Sequence, residues 1–401
     1  MNVSTLNEGS LYMSESKVRS KIFTFEFITV FIFHFILMFS MYTTLVIISG
    51  VSMEKYNIGP SLAGFVASIF ILGILVGRAI SGNRINKIGV KKVVWGGVLM
   101  FFLTYALYFF DFGLLFLIFV RLLNGFATGY ISTALNTLAT IILPEDRRGE
   151  GISYFSLSLV LASSIGPFAS FTIFKNMPFN QMLFIVGVIT FLAAMSFLFV
   201  KTNNRYSKDR KSSFTLVDKK AAIMGPGLLL LGFTQSTIFA FIGTYTLLNG
   251  FLVAASLFFI VYSASTLLTR PITGRILDQR GPVGLIILTI ILNALGYFIL
   301  GSAQSDFVVL IGATVIGLGM GNFQSLAQAT CVQLGDKENV GLSTSTFFIM
   351  LETGLGFGPL ILGVIASYVG YGTMYQLMVI PILFALLHFV FFVRGKIARP
   401  V

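Results

Sequence analysis

The sequence predicts an all-α membrane protein: twelve transmembrane helices in two pseudo-symmetric six-helix bundles. Three observations carry that expectation. First, 56% of the 401 residues are hydrophobic, only 10% are charged, and the mean hydropathy is +0.91. A soluble chain of this length must wet its surface and cannot hide so much apolar area; lipid is the solvent that fits. Second, the apolar residues fall into runs of about 20, enough for a helix to cross a hydrocarbon layer of about 30 Å. Third, the chain repeats itself at a constant offset of 192 positions.

The spans follow in order. The first covers roughly 22–50 and holds Glu26 and His34. Its apolar run, Ile22 to Val51, is longer than the hydrophobic region of a secretory leader, so no cleavable leader is expected. The second, roughly 60–80, runs into the basic stretch GRAISGNRINKIGVKK, Gly77 to Lys92, read as a polar turn. The third is roughly 93–110. The fourth, roughly 112–142, carries Arg121, Asn124 and Asn136. The fifth, roughly 150–173, carries Gly166 and Pro167; the sixth is roughly 179–200. Lys201 to Lys220 is polar and basic and reads as a linker. The seventh span, roughly 221–248, holds Gln235. The eighth, roughly 251–269, runs into TRPITGRILDQRGPVG, Thr269 to Gly284. The ninth is roughly 283–302, and the tenth, roughly 306–333, holds Asn322, Gln324 and Gln328. The eleventh, roughly 340–369, holds Glu352, Gly358 and Pro359; the twelfth is roughly 373–393. The expected units are a tail 1–21, a bundle 22–200, the linker 201–220, a bundle 221–393 and a tail 394–401.

Charge sets the orientation. With the N-terminus cytoplasmic, 24 of the 27 Lys and Arg fall on the cytoplasmic side, Lys55 and Lys175 fall outside, and Arg121 lies within a span. That is a strong positive-inside bias, so both termini are expected in the cytoplasm of a multi-pass cell-membrane protein. The net charge of +12 then reports topology and contact with anionic headgroups, not nucleic acid. One cysteine, Cys331, excludes an internal disulfide, and two histidines, His34 and His388, argue against a metal site. No phosphate-binding GxxxxGK[ST] stretch is present, so direct ATP coupling is not expected. A membrane enzyme would need clustered His, Asp or Glu near the headgroups, which the loops lack. No cofactor and no metal are expected, and the chain is expected to act as a monomer.

The repeat is specific. Arg78, Ile80, Gly82 and Gly89 meet Arg270, Ile272, Gly274 and Gly281 at the 192-residue offset. So do Gly125 and Gly129 with Gly317 and Gly321, and Gly149, Ser153 and Phe155 with Gly341, Ser345 and Phe347. Gly166-Pro167 meets Gly358-Pro359. Duplicated membrane halves with a site between them are a transporter architecture.

On these residues the chain resembles the major facilitator superfamily. GNRINKIGVKK resembles its loop between helices two and three, although Asn86 stands where the pattern has an acid and Asp278 keeps that acid. RLLNGFATG resembles its helix-four motif. The Gly-Pro at 166–167 resembles the helix-five motif of its exporters, with Ala169 and Ser170 replacing further glycines. The resemblance extends to bacterial multidrug and metallophore exporters. It implies secondary active transport by alternating access, in which each half needs its own copy of the basic segment, with protons driving a small molecule out of the cell. A proton-coupled importer, a uniporter and a non-transporting sensor are the alternatives.

Candidate roles follow. Arg121, near mid-depth, costs about 2.5–3.5 kcal/mol to insert and needs a compensating partner; the resemblance gives it a part in proton coupling. Glu352, also near mid-depth, is expected to carry a proton and to alternate between Arg121 and a neutral state. His34 and Glu26 complete the proton-coupling set. Asn124, Asn136, Gln235, Asn322 and Gln324 are candidates for a substrate cavity, with Gln328. Arg78, Gly82, Asn86, Gly89, Arg270, Gly274, Asp278 and Arg280 form a candidate cytoplasmic gate. Gly166, Pro167, Gly358 and Pro359 are candidate bending points.

Overall fold

The computed structural model describes residues 21–58, 60–174, 177–201, 215, 217–336 and 339–397. Residues 1–20 and 398–401 of the expected tails, Lys175, Lys337 and most of the linker lie outside the described residues. Among the described residues all regular structure is helical, and twelve helices are long and apolar enough to cross a membrane. The protein is therefore a multi-pass membrane protein.

In the first half these are α1 (Phe25–Tyr56), α2 (Pro60–Ile88), α3 (Val90–Ala106), α4 (Leu114–Ile142), α5 (Arg148–Thr172) and α6 (Phe179–Ser196). In the second they are α7 (Gly225–Leu248), α8 (Leu252–Arg280), α9 (Val283–Gly301), α10 (Asp306–Leu334), α11 (Val340–Val369) and α12 (Tyr371–Lys396). A π-helical turn, Gly317–Gly321, interrupts α10.

The two basic stretches are not the polar turns expected. α2 continues to Ile88 and α8 to Arg280, so Arg78, Gly82, Arg270 and Gly274 are helical. The chain turns only at Gly89 (φ 84°) and Gly281 (φ 76°), a left-handed region where a Cβ is strained. Basic residues at a membrane surface keep a helix wet without ending it, so polarity alone marks depth rather than a helix end.

The first six helices share one core, including Phe33, Leu37, Phe101, Phe155 and Val186. The last six share another, including Leu231, Tyr297, Phe323, Phe347 and Tyr375. Leu115, Phe184, Leu268 and Phe391 are exposed on the outside, where acyl chains rather than water suit them. The repeat is preserved in the packing. A side chain at Gly125 would strike the Phe70 carbonyl, and one at Gly317 would strike that of Tyr262, 192 positions on. Gly129 abuts Ile74 as Gly321 abuts Thr266. Small residues let α2 press on α4 and α8 on α10 in the same register. We call the end with the α2–α3 and α8–α9 turns the basic end.

Candidate functional site

The halves meet along two seams, α2 with α11 and α8 with α5. On the first, Arg78 donates from Nε and Nη2 to the two carboxylate oxygens of Glu352, at 2.6 and 2.5 Å. The guanidinium also lies 4.1 Å from the Phe348 ring centre and 3.4 Å from Thr133 Oγ1. Its side chain is 4% exposed and that of Glu352 16%. Such a two-point ion pair is shielded from solvent and fixed in geometry. Arg78 lies ten residues before the end of α2, so the pair sits about 15 Å inside the basic end, near mid-depth. Toward that end, Ser345 Oγ donates to the Arg78 carbonyl and Asn86 donates to Asn339 Oδ1 at 2.9 Å.

The second seam uses the repeat-related positions. Asp278 accepts the backbone N–H groups of Gly149 and Glu150, both at 2.8 Å. These are unpaired donors at the start of α5, where the helix dipole favours a carboxylate. Arg275 donates to Glu150 at 3.2 Å, and Arg147 holds the other oxygen of Glu150 at 2.9 Å. Arg270 is fully buried and donates to the carbonyls of Ser153 and Gly321 at 3.1 and 2.5 Å. The two arginines of the repeat thus both reach across the boundary between halves, but only Arg78 finds a carboxylate among the described residues.

Between the seams runs a directed chain of hydrogen bonds. Gln328 Nε2 donates to Asn136 Oδ1 (3.3 Å), and Asn136 Nδ2 lies 3.0 Å from His34 Nε2. His34 Nδ1 is 2.7 Å from Ser158 Oγ, which donates to the Phe155 carbonyl. An amide nitrogen can only donate, so His34 Nε2 accepts and Nδ1 carries the hydrogen, assigned from the network. Asn136 and Gln328 are repeat partners, 192 apart, and touch each other on the axis relating the halves.

The description "Major Facilitator Superfamily" matches residues 30–282 and 224–400. The chain belongs to the major facilitator superfamily. This superfamily member is 23% identical over 339 residues to the multi-drug resistance efflux pump PmrA homolog of Lactococcus lactis, covering 81% of this chain and 82% of that protein. It is 21% identical over 350 residues to the staphylopine export protein of Staphylococcus aureus, covering 81% and 86%. Among solved structures it resembles the human organic anion transporter MFSD10, with a TM-score of 0.76 at 12% identity, covering 91% of this chain and 98% of that one.

Within this transporter the sequence-predicted residues are only partly brought together. Glu352 meets Arg78, not Arg121 as expected. Arg121 instead donates to the Val66 and Ala67 carbonyls (3.3 and 3.0 Å) and to Tyr108, and faces Phe70 at 4.4 Å. Among the described residues no carboxylate lies within ion-pair reach of it. Glu26 stands in the first turn of α1, half-buried, apart from the other three. Asn124 ties α4 to α3 through Thr104 (3.1 Å), and Asn322 ties α10 to Thr269 on α8 (2.8 Å). Both are staples within one half. Gln324 donates to Gln235 at 3.0 Å, joining α10 to α7. Arg280 is exposed at the end of α8. Gly166 and Gly358, beside their prolines, seat α5 against Tyr42 of α1 and α11 against Ser236 of α7. Those contacts lie inside each half rather than across a seam.

Sequence reasoning did not place Glu150, Ser153 or Ser345 in the site. The repeat marked Ser153 and Ser345 as matched polar positions, the signal that pointed to a seam.

Proposed function

We propose that the protein is a proton-coupled exporter of a small molecule, a drug or metabolite, working by alternating access with the basic end in the cytoplasm. The observation that carries this reading is the two-point Arg78–Glu352 ion pair across the seam. A carboxylate accepts both guanidinium donors; a carboxylic acid, with its own hydrogen to place, does not. Protonation of Glu352 therefore loosens α2 from α11 near mid-depth, and the basic end parts. Loss of the proton to the cytoplasm restores the pair and closes that end.

His34 acts in the same direction. A proton on Nε2 needs an acceptor, so Asn136 must turn its carbonyl toward the ring. Its amide then faces the amide of Gln328, and the bond between halves is lost unless both turn. The positive-inside bias supports the orientation. The Gly-Pro step at 166–167 and relatives named for efflux and export support the direction of transport.

The test is a distance measurement between spin labels at Lys87→Cys and Lys396→Cys, both exposed at the basic end, one in each half. The single native cysteine, Cys331, is fully buried and does not compete. Lowering the pH should shift the unmodified transporter toward the longer distance. Glu352→Gln should hold the longer distance at every pH, and a normal pH response in that variant defeats the proposal. In everted vesicles with an acidic interior, ethidium should move inward with the native protein and at least tenfold more slowly, or about 1.4 kcal/mol, with Glu352→Gln.

A further inference from the structure

The two seams should be alike, because their residues are repeat partners, yet they are fastened differently. On the α8–α5 seam, Arg275 pairs directly with Glu150. At the 192-residue offset these become Asn83 on α2 and Leu342 on α11, which cannot form an ion pair. Asn86 replaces the acid Asp278 as well, and its Oδ1 is buried without a partner. The α2–α11 seam is short of direct polar ties at its basic end.

A piece of the linker occupies that place. Thr215 donates its backbone N–H to Asn83 Oδ1 at 3.0 Å, and Asn83 Nδ2 donates to the Thr215 carbonyl. The asparagine amide thereby pairs with both polar groups of one peptide residue. Asn83 is 4% exposed, so neither bond competes freely with water. Three residues on, Asp218 is fastened to the other half. Its carboxylate accepts from Ser343 Oγ on α11 at 2.6 Å, and its N–H donates to Thr346 Oγ1 at 2.8 Å. Its second oxygen accepts the N–H groups of Lys220 and Ala221 at 2.9 and 3.3 Å, which fixes its direction. Lys220 is held in turn by Asp336 at 2.5 Å. Covalent geometry lets three residues span at most about 10 Å. That matches the 8–10 Å between packed helix axes.

We infer that Thr215 and Asp218, one bonded to each half, act as a strap that latches α2 to α11 across the basic end, supplying the tie that the missing ion pair would have made. The inference rests on the alternating-access reading. The strap is bonded to both halves only while the basic end is closed, because three residues cannot follow both helices as they separate. It therefore biases the resting protein toward closure, and its release is part of each opening. Thr215 and Asp218 thus belong to the gate.

The same spin-labelled pair tests this at neutral pH in the full chain. Asn83→Ala and Thr215→Pro remove the bond from opposite sides. Asn83→Ala, which loses both hydrogen bonds, should raise the ratio of open to closed about tenfold, and Thr215→Pro, which loses only the N–H donor, about threefold. The double variant should rise no further than Asn83→Ala alone, because both act on one contact. Arg275→Ala, which cuts the other seam, is the reference for opening. If Arg275→Ala opens the basic end while neither strap variant does, the strap is wrong and alternating access stands. If the two variants each open it but their effects add, they act separately and the strap is again wrong. If none of the three opens it, alternating access falls and the strap with it.

Discussion

Asn86 and Asp278 occupy equivalent positions and differ by one atom type, which makes them a controlled comparison. Each Asp278 oxygen takes one N–H at the start of α5. Asn86 can offer the corresponding groups of α11 a single neutral oxygen, and that oxygen is unpaired. Asn86→Asp, with Asn339 turning its amide, should therefore tighten the weaker seam. A carboxylate at a partly buried helix start contributes about 1 kcal/mol. The expected outcome is a fivefold fall in the open fraction by the spin-label distance, or about 1 kcal/mol at about 1.4 kcal/mol per decade, with a higher Tm. Arg121 teaches a second lesson at this scale. Its cost in lipid was legible from its depth, but carbonyls of α2 and an aromatic face meet that cost, with no counter-charge among the described residues.

At the scale of elements, the end of α1 opposite the basic end shows how a helix is pinned by its neighbour. Lys55 lies 3.0 Å from Asp111 in the α3–α4 connection, and Tyr56 donates to the same carboxylate at 2.8 Å. These bonds, Lys55 first, then Tyr56 and the Gly113 N–H, hold the Asp111 carboxyl below the ordinary range. The phenol of Tyr56 is pushed up to about 12, chiefly by burial and then by that hydrogen bond. A depressed carboxyl contributes stability above its unfolded pKa and loses it as pH falls through the folded value. Asp111→Asn should lower Tm slightly at neutral pH, and the gap from the native protein should shrink on acidification below about pH 4. A constant gap in a thermal-melt series excludes this clamp. Helix ends were the least legible feature here. The basic stretches were placed outside the helices because polarity was equated with a turn, while the left-handed glycines 89 and 281 marked the actual stops.

At the scale of the molecule, the twelve spans, the two bundles and the 192-residue repeat were all readable, because lipid demands long apolar runs and duplication leaves matched glycines. The partners across the seams were not. Which helix of one half faces which of the other depends on rotations that no run of hydropathy records. Glu352 was accordingly assigned to Arg121, although Arg78 was already marked as a repeated arginine. Asp278 stands among arginines in the candidate gate, whereas its partners are backbone groups that carry no signature in the sequence. The orientation is testable on the whole protein. In intact cells a membrane-impermeant maleimide should label Phe112→Cys and leave Lys87→Cys unmodified, and everted vesicles should reverse the pattern. Both positions are exposed, at opposite ends. Labelling of Lys87→Cys from outside overturns the assigned orientation.

The contact between Asn136 and Gln328 has a consequence for ancestry. Partners related by a two-fold axis and touching across it would, before the halves diverged, have been one residue meeting its own copy. Such a position tolerates only a side chain complementary to itself. An acid repels its twin and so does a base, but a primary amide gives and takes at once. The survival of two amides there fits descent from a symmetric pair of six-helix chains.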